Sequence, residues 1–204
     1  MTLTNDDKDS ITQGNASLRN YLCEPYYFGG QHEYTDLTKT AIAESVTILA
    51  LGPYTTECRY LKSAYKITSS KTSDIVLSAE FSIPKSFYIE STGHFNAVEA
   101  NICLNQMSYL LFADFVSTPN AHPFWTTLGS FDLDTFKEKQ LAKIFIVSLS
   151  SRFRQALDAR DFRGSLRWKS VSKKMGLILC KAEFGFGEHN NSAYGEVMFA
   201  IPFH

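Results

Sequence analysis

Phe95-Asn96-Ala97-Val98-Glu99-Ala100-Asn101-Ile102-Cys103-Leu104-Asn105-Gln106-Met107-Ser108-Tyr109-Leu110-Leu111-Phe112-Ala113-Asp114-Phe115-Val116 is the stretch whose reading decides the fold. Val98, Ile102, Leu104, Met107, Leu110, Leu111, Phe112 and Phe115 make it apolar on nearly every side, with little of the strict alternation of a strand. A helix of that kind is buried nearly all round. Something must therefore wrap it.

The flanking sequence supplies strands. Glu57 to Thr68 is rich in β-formers, Asp74 to Ile83 partly alternates, and Ser69 to Ser73 is a polar turn between them. Beyond the helix, Ser117 to Phe124 carries Pro119, Asn120 and Pro123, and Leu133 to Leu141 reads as a short surface helix capped by Asp132 or Asp134. Ile144 to Leu149, Ser165 to Val171, Leu177 to Phe186 and Ala193 to Ile201 read as strands, with turns at Lys173 to Gly176 and Gly187 to Asn191. Ahead of all these, a short helix is expected after Thr35, with Asp36 in its first turn and Ala41, Ile42 and Val46 on one side, and then a strand from Val46 to Leu51.

Strands, one long apolar helix and more strands in that order belong to the α+β class. An antiparallel sheet curved around one long central helix is the hot-dog fold. Such a sheet has an open edge and leaves part of the helix uncovered, so a homo-oligomer, a dimer or a multiple of it, is expected. Residues 1 to 18 read as a flexible tail and residues 19 to 204 as a single hot-dog domain; 204 residues are too few for two ordinary domains.

Composition excludes several functions. A formal net charge of −1 without a Lys/Arg cluster argues against nucleic acid as a partner. No apolar run reaches the roughly 18 to 20 residues of a membrane span, and the acidic opening is wrong for a targeting peptide. Cys23, Cys58, Cys103 and Cys180 lie far apart, as do His32, His122, His189 and His204, so neither a metal site nor any cofactor is expected. Free thiols fit a cytoplasmic location. Serine-hydrolase, P-loop and dinucleotide motifs are missing from the sequence; Gly185-Phe186-Gly187 lacks a third glycine.

The helix start carries the chemistry. Polar side chains there cost free energy unless paired, so they pair structurally or a substrate supplies the partner. At 100° per residue Asn96, Glu99 and Gln106 share one sector, while Asn101 and Asn105 lie nearly opposite. Free N–H groups at a helix N-terminus suit a thioester carbonyl whose oxygen gains charge during reaction, and Asn side chains or the Tyr88 phenol can add donors. The competing reading is that Asn96 merely caps the helix and Tyr88 packs.

Tyr88, the turn Gly93-His94-Phe95-Asn96-Ala97-Val98-Glu99 and the pair Asn105-Gln106 together resemble the FcoT-type long-chain fatty acyl-CoA thioesterase family, most closely over about residues 84 to 112. The resemblance implies a hot-dog fold, a multimer of hot-dog dimers and a tunnel for an aliphatic chain; 16 Phe and 10 Tyr accord with such a tunnel. It implies thioester-site roles for Tyr88, Asn96 and Asn105, and a further pocket tyrosine at Tyr54 after Gly52-Pro53. Phe95, Ala97 and Gln106 stand beside these as substrate-binding candidates. The expected substrate is a fatty-acyl thioester of coenzyme A or acyl carrier protein.

Two chemistries follow from the resemblance. Hydrolysis by a positioned water is expected first. The second is addition of glycine across a 2-enoyl acyl-carrier-protein thioester, as in relatives from isonitrile-lipopeptide pathways, with His94 or Glu99 as base and Arg59 or Arg167 as candidates for the glycine carboxylate. Dehydration ranks lower, because the Gly-His-Phe turn is followed by Asn96 and the later helix offers amides where a carboxyl group is needed. A passive acyl-binding module would not need so many polar groups at a buried helix start.

Overall fold

The computed structural model describes residues 37–69, 75–90, 94–118, 132–188 and 192–202. The elements run β1 (Leu37–Ala41), α1 (Glu44–Leu51), a 3-10 turn (Thr56–Cys58), β2 (Leu61–Ser69), β3 (Ile75–Phe81), α2 (Ala97–Ser117), α3 (Leu133–Lys139), β4 (Phe145–Phe153), β5 (Phe162–Lys174), β6 (Leu177–Phe186) and β7 (Ala193–Pro202). The seven strands form one antiparallel sheet in the order β1-β2-β3-β5-β6-β7-β4. With α2 packed against it, this is an α+β hot-dog fold.

One face of the sheet is made for α2. Along β6, Ile178, Cys180, Ala182 and Phe184 are buried while Leu179, Lys181 and Glu183 between them are partly open, the period-two pattern of a strand with one covered face, and Gly185 and Phe186 are buried at its end. Leu77, Ala79 and Phe81 of β3 and Leu166 and Trp168 of β5 join them in the core. From the helix, Cys103, Leu104, Met107, Leu110, Leu111 and Phe112 are buried. Phe112 and Phe115 set their rings edge-on against Trp168 at 4.6 and 4.8 Å, a geometry that adds quadrupole attraction to the transfer of apolar area from water. Register shifts at Leu61/Ser63, Ile146/Ser148 and Trp168/Ser170 bend strands that must curve around a cylinder.

Lower on α2 the one acidic group of that half, Asp114, meets Lys66 of β2 at 2.5 Å, with both side chains largely enclosed. The hairpin tip between β5 and β6 holds Met175 and Gly176 at φ 51° and 76°. Two successive positive φ values match the right-handed strand twist in a tight hairpin.

The start of the chain corrects two expectations. Residues 37–41 form β1, paired with β2 from Leu37↔Ser69 to Ala41↔Tyr65, where a helix was expected. Val46 to Leu51, expected as a strand, lies in α1, whose Ala50 and Leu51 pack into the core. A six-residue apolar run fits a strand or a helix equally well, and here contact with α2 decides. Β-branched Thr38 and Thr40 favour the strand once β2 offers an edge. Elsewhere among the described residues only bounds differ: β5 extends from Phe162 to Lys174, and α2 begins at Ala97 rather than Phe95. The expected tail, residues 1–18, lies outside the described residues, as do Asp36, the turn glycine Gly93 and most of the turns expected at 69–73, 117–124 and 187–191. Among the described residues, no helix is long and apolar enough to cross a membrane.

Candidate active site

The first turn of α2 is built by side chains that satisfy its own backbone. Asn96 is the N-cap, with extended φ/ψ, and its Oδ1 accepts from the Val98 and Glu99 N–H groups at 2.9 and 3.2 Å. Glu99 reaches back to the Asn96 N–H at 3.3 Å, which completes a capping box. The structural alternative for Asn96 thus holds for its oxygen. It also corrects the expectation of an open set of backbone donors: Val98 and Glu99 N–H are taken, and the Ala100 N–H bonds the Asn96 carbonyl. The Ala97 N–H and the Asn96 side-chain NH₂ are the donors not engaged by this cap.

The segment before the helix folds over this turn. Ile83 donates its N–H to Ala159 O at 2.7 Å and Phe95 donates to Leu157 O at 3.1 Å, so the chain is pinned at both ends of the crossing. Phe95 is buried, its ring 4.7 Å from Phe162 and 5.0 Å from Phe186. Gly164 of β5 makes room for that aromatic group; a Cβ there would stand 2.8 Å from the Phe186 ring. Between the pins, the Tyr88 hydroxyl donates to Asn96 Oδ1 at 2.8 Å, and the Ser86 hydroxyl donates to the Glu99 carboxylate. The phenolic hydrogen expected to point at a substrate carbonyl is thus held by Asn96.

The structure therefore brings together Tyr88, Asn96, Ala97 and Glu99, with His94 exposed two residues ahead. Glu99 is 1% exposed and bonded at both carboxylate oxygens. Gln106 is enclosed further along: its Oε1 accepts from Leu61 N–H at 2.9 Å and its Nε2 donates to Cys58 O at 2.5 Å. That amide joins α2 to the chain entering β2. Asn105 is nine residues past Asn96, about 13 Å along the axis and on the far side of the helix, so within one chain it does not share the Tyr88 turn. On its side the Asn101 carbonyl oxygen is buried with no hydrogen bond.

Tyr54 packs at 6.3 Å from the Tyr109 ring, and burial, with Tyr109, Cys103 and Cys58 nearby, pushes its phenol far above the ordinary value. Arg59 bonds the Tyr54 carbonyl at 3.0 Å. Arg167 pairs with Glu183 at 2.7 Å on β5 and β6 and is 3% exposed. Both arginines thus already have protein acceptors. Among the described residues no group of three or more His, Cys, Asp or Glu side chains is placed to hold a metal.

Sequence reasoning missed Ser86 and Tyr60. Ser86 carries no spacing signal, since its partner Glu99 is met only through the crossing segment. Tyr60 was read as one more β-former in a strand that in fact begins after it.

The family model described as the FcoT-like thioesterase domain matches residues 49–201. A Streptomyces coeruleorubidus protein named (2E)-enoyl-[ACP] glycyltransferase is 37% identical over 64% of this chain and 76% of its own length. A Mycobacterium marinum protein of the same name is 34% identical over 79% of this chain and 87% of its own. A solved mutant thioesterase from Pseudomonas aeruginosa aligns over 69% of this chain and 82% of that one at 6% identity, with a TM-score of 0.38, too loose a likeness to carry an argument. The two curated names overturn hydrolysis as the leading chemistry.

Proposed function

The chain belongs to the FcoT-like thioesterase domain family, and from that membership we propose that this enzyme adds glycine to a (2E)-enoyl chain carried as a thioester on an acyl carrier protein. The observation that carries the reading is the shared name of relatives 34–37% identical to this chain. The site geometry is compatible with it. The amine lone pair of glycine attacks the β-carbon, a C–N bond forms, and the double-bond electrons move toward the thioester carbonyl, whose oxygen becomes an enolate. The nitrogen then loses a proton and the α-carbon gains one; the thioester stays intact.

In this scheme the Asn96 NH₂ and Ala97 N–H hold the enolate oxygen at the positive end of α2. Tyr88 orients Asn96 through its 2.8 Å bond and offers its own oxygen to an amine N–H. His94, exposed at the rim, takes the amine proton. Glu99, enclosed by Ser86 and the cap, keeps the turn in place and is not the base.

A second copy of the chain belongs to the same proposal. Phe145, Val147, Leu149 and Phe153 are all exposed on β4, the edge of the sheet. An open apolar edge invites pairing with a like edge. Asn105 on the far side of α2 would then serve a site shared between copies, with Tyr54 lining the acyl pocket and Phe95 and Gln106 supporting it from behind.

The test is mass spectrometry of the purified protein with 2-enoyl-acyl carrier protein, with and without glycine. A thioester heavier by one glycine, formed only when both are present, is expected. Free acid, or no adduct, overturns the reading.

A further inference from the structure

Tyr60 is 1% exposed, and no protein group accepts the hydrogen of its hydroxyl. An unmade hydrogen bond on an enclosed phenol costs about 1 to 3 kcal/mol, so such a group calls for a reason. The backbone around it leaves no freedom to find one. Tyr60 N–H bonds Cys58 O at 3.1 Å and Tyr60 O accepts from Ser82 N–H at 3.0 Å. Gln106 clamps both flanks, at Cys58 O and Leu61 N–H.

The groups around this phenol are Cys58, Glu99 and Cys103, and the Phe87 N–H is directed at its oxygen. Glu99 and Cys103 are one turn apart at the start of α2, and Phe87 precedes Tyr88. The hydroxyl therefore lies near the same helix turn as the Tyr88–Asn96 pair. Burial and these neighbours raise its pKa to about 12, so it remains a donor across the physiological range. Glu99 is not its acceptor, being held by Ser86 and Asn96.

We infer that Tyr60 is a catalytic residue whose hydroxyl, preorganised and without an acceptor in the free enzyme, donates a hydrogen bond to the carbonyl oxygen of the bound acyl thioester. The acceptor missing from the protein is thus brought by the substrate. A donor already desolvated and fixed strengthens its bond as the carbonyl becomes an enolate, which lowers the barrier rather than the substrate affinity alone. The assignment rests on the acyl-thioester reading of the site, but not on glycine as the acceptor.

The experiment compares the wild-type protein with Tyr60→Phe, which keeps the ring and its packing. Infrared difference spectroscopy of a bound 2-enoyl pantetheine thioester, carbonyl-labelled with ¹³C, is expected to show the carbonyl stretch lowered on wild type and that shift reduced in the variant. Turnover is expected to fall about 10- to 100-fold with thermal stability unchanged or higher. An unaltered carbonyl band overturns the inference, as does unaltered turnover with lowered stability, the mark of a purely structural hydroxyl. A wild type that shifts the carbonyl but forms no glycine adduct instead refutes glycine addition and leaves Tyr60 in place.

Discussion

The Tyr88 hydroxyl lies 2.8 Å from Asn96 Oδ1, and the same oxygen caps Val98 and Glu99. One amide thus has two faces, an oxygen committed to the fold and an NH₂ outside the cap. Asn96→Asp keeps the first and removes the second. Turnover is expected to drop about 100-fold while the melting temperature holds, because a carboxylate also caps well at a helix N-terminus. Asn96→Ala should in addition lose about 1 kcal/mol of stability. Full activity in Asn96→Asp would remove the amide from the site.

Gln106 tests whether a candidate binding residue is held by the fold. Gln106→Leu leaves the Leu61 N–H without its partner and Cys58 O with only the Tyr60 N–H, and unfolding in urea should show a loss of about 1 to 3 kcal/mol. A loss below about 0.5 kcal/mol would mean the clamp is dispensable.

The enclosed Lys66–Asp114 pair makes a different prediction. Asp114→Asn strands a buried ammonium and should cost about 3 kcal/mol, whereas Lys66→Met with Asp114→Leu should recover most of it. Equal stability of single and double variants would contradict this.

Alkaline stability follows from the thiols. Burial raises Cys180 from 9.0 to about 12, and Cys103 is likewise raised, by burial first and then by Glu99. Above about pH 9 the unfolded thiols ionise while the folded ones stay protonated. The folded state then binds more protons, so stability is complete below pH 9 and falls as pH rises toward the folded values. Melting curves between pH 8 and 10.5 should show that decline, and Cys180→Ala should flatten it; an identical slope in the variant would assign the loss to other groups.

The central helix, the β2–β3 pair and the run of late strands were legible because long periodic segments carry their own signal. The N-terminal strand and α1 were not: Val46 to Leu51 has no period long enough to choose, and α2 decides. At the site, the Tyr88 turn was legible as a combination of residue types. Ser86 and Tyr60 were not, since the significance of the first lies in a partner 13 residues away and that of the second in the lack of an acceptor for its hydroxyl.

The amino-acid order by itself determined that one helix must be wrapped by a sheet, since a surface apolar on all sides has no other stable place in water. It also determined that polar groups cluster where that helix begins. Only the tertiary structure decided which groups are already satisfied. Hydrogen bonding is short-ranged and directional, so a few ångströms, set by how the chain crosses from β3 to α2, separate a capping oxygen from an amide NH₂ outside the cap and leave one phenol without an acceptor.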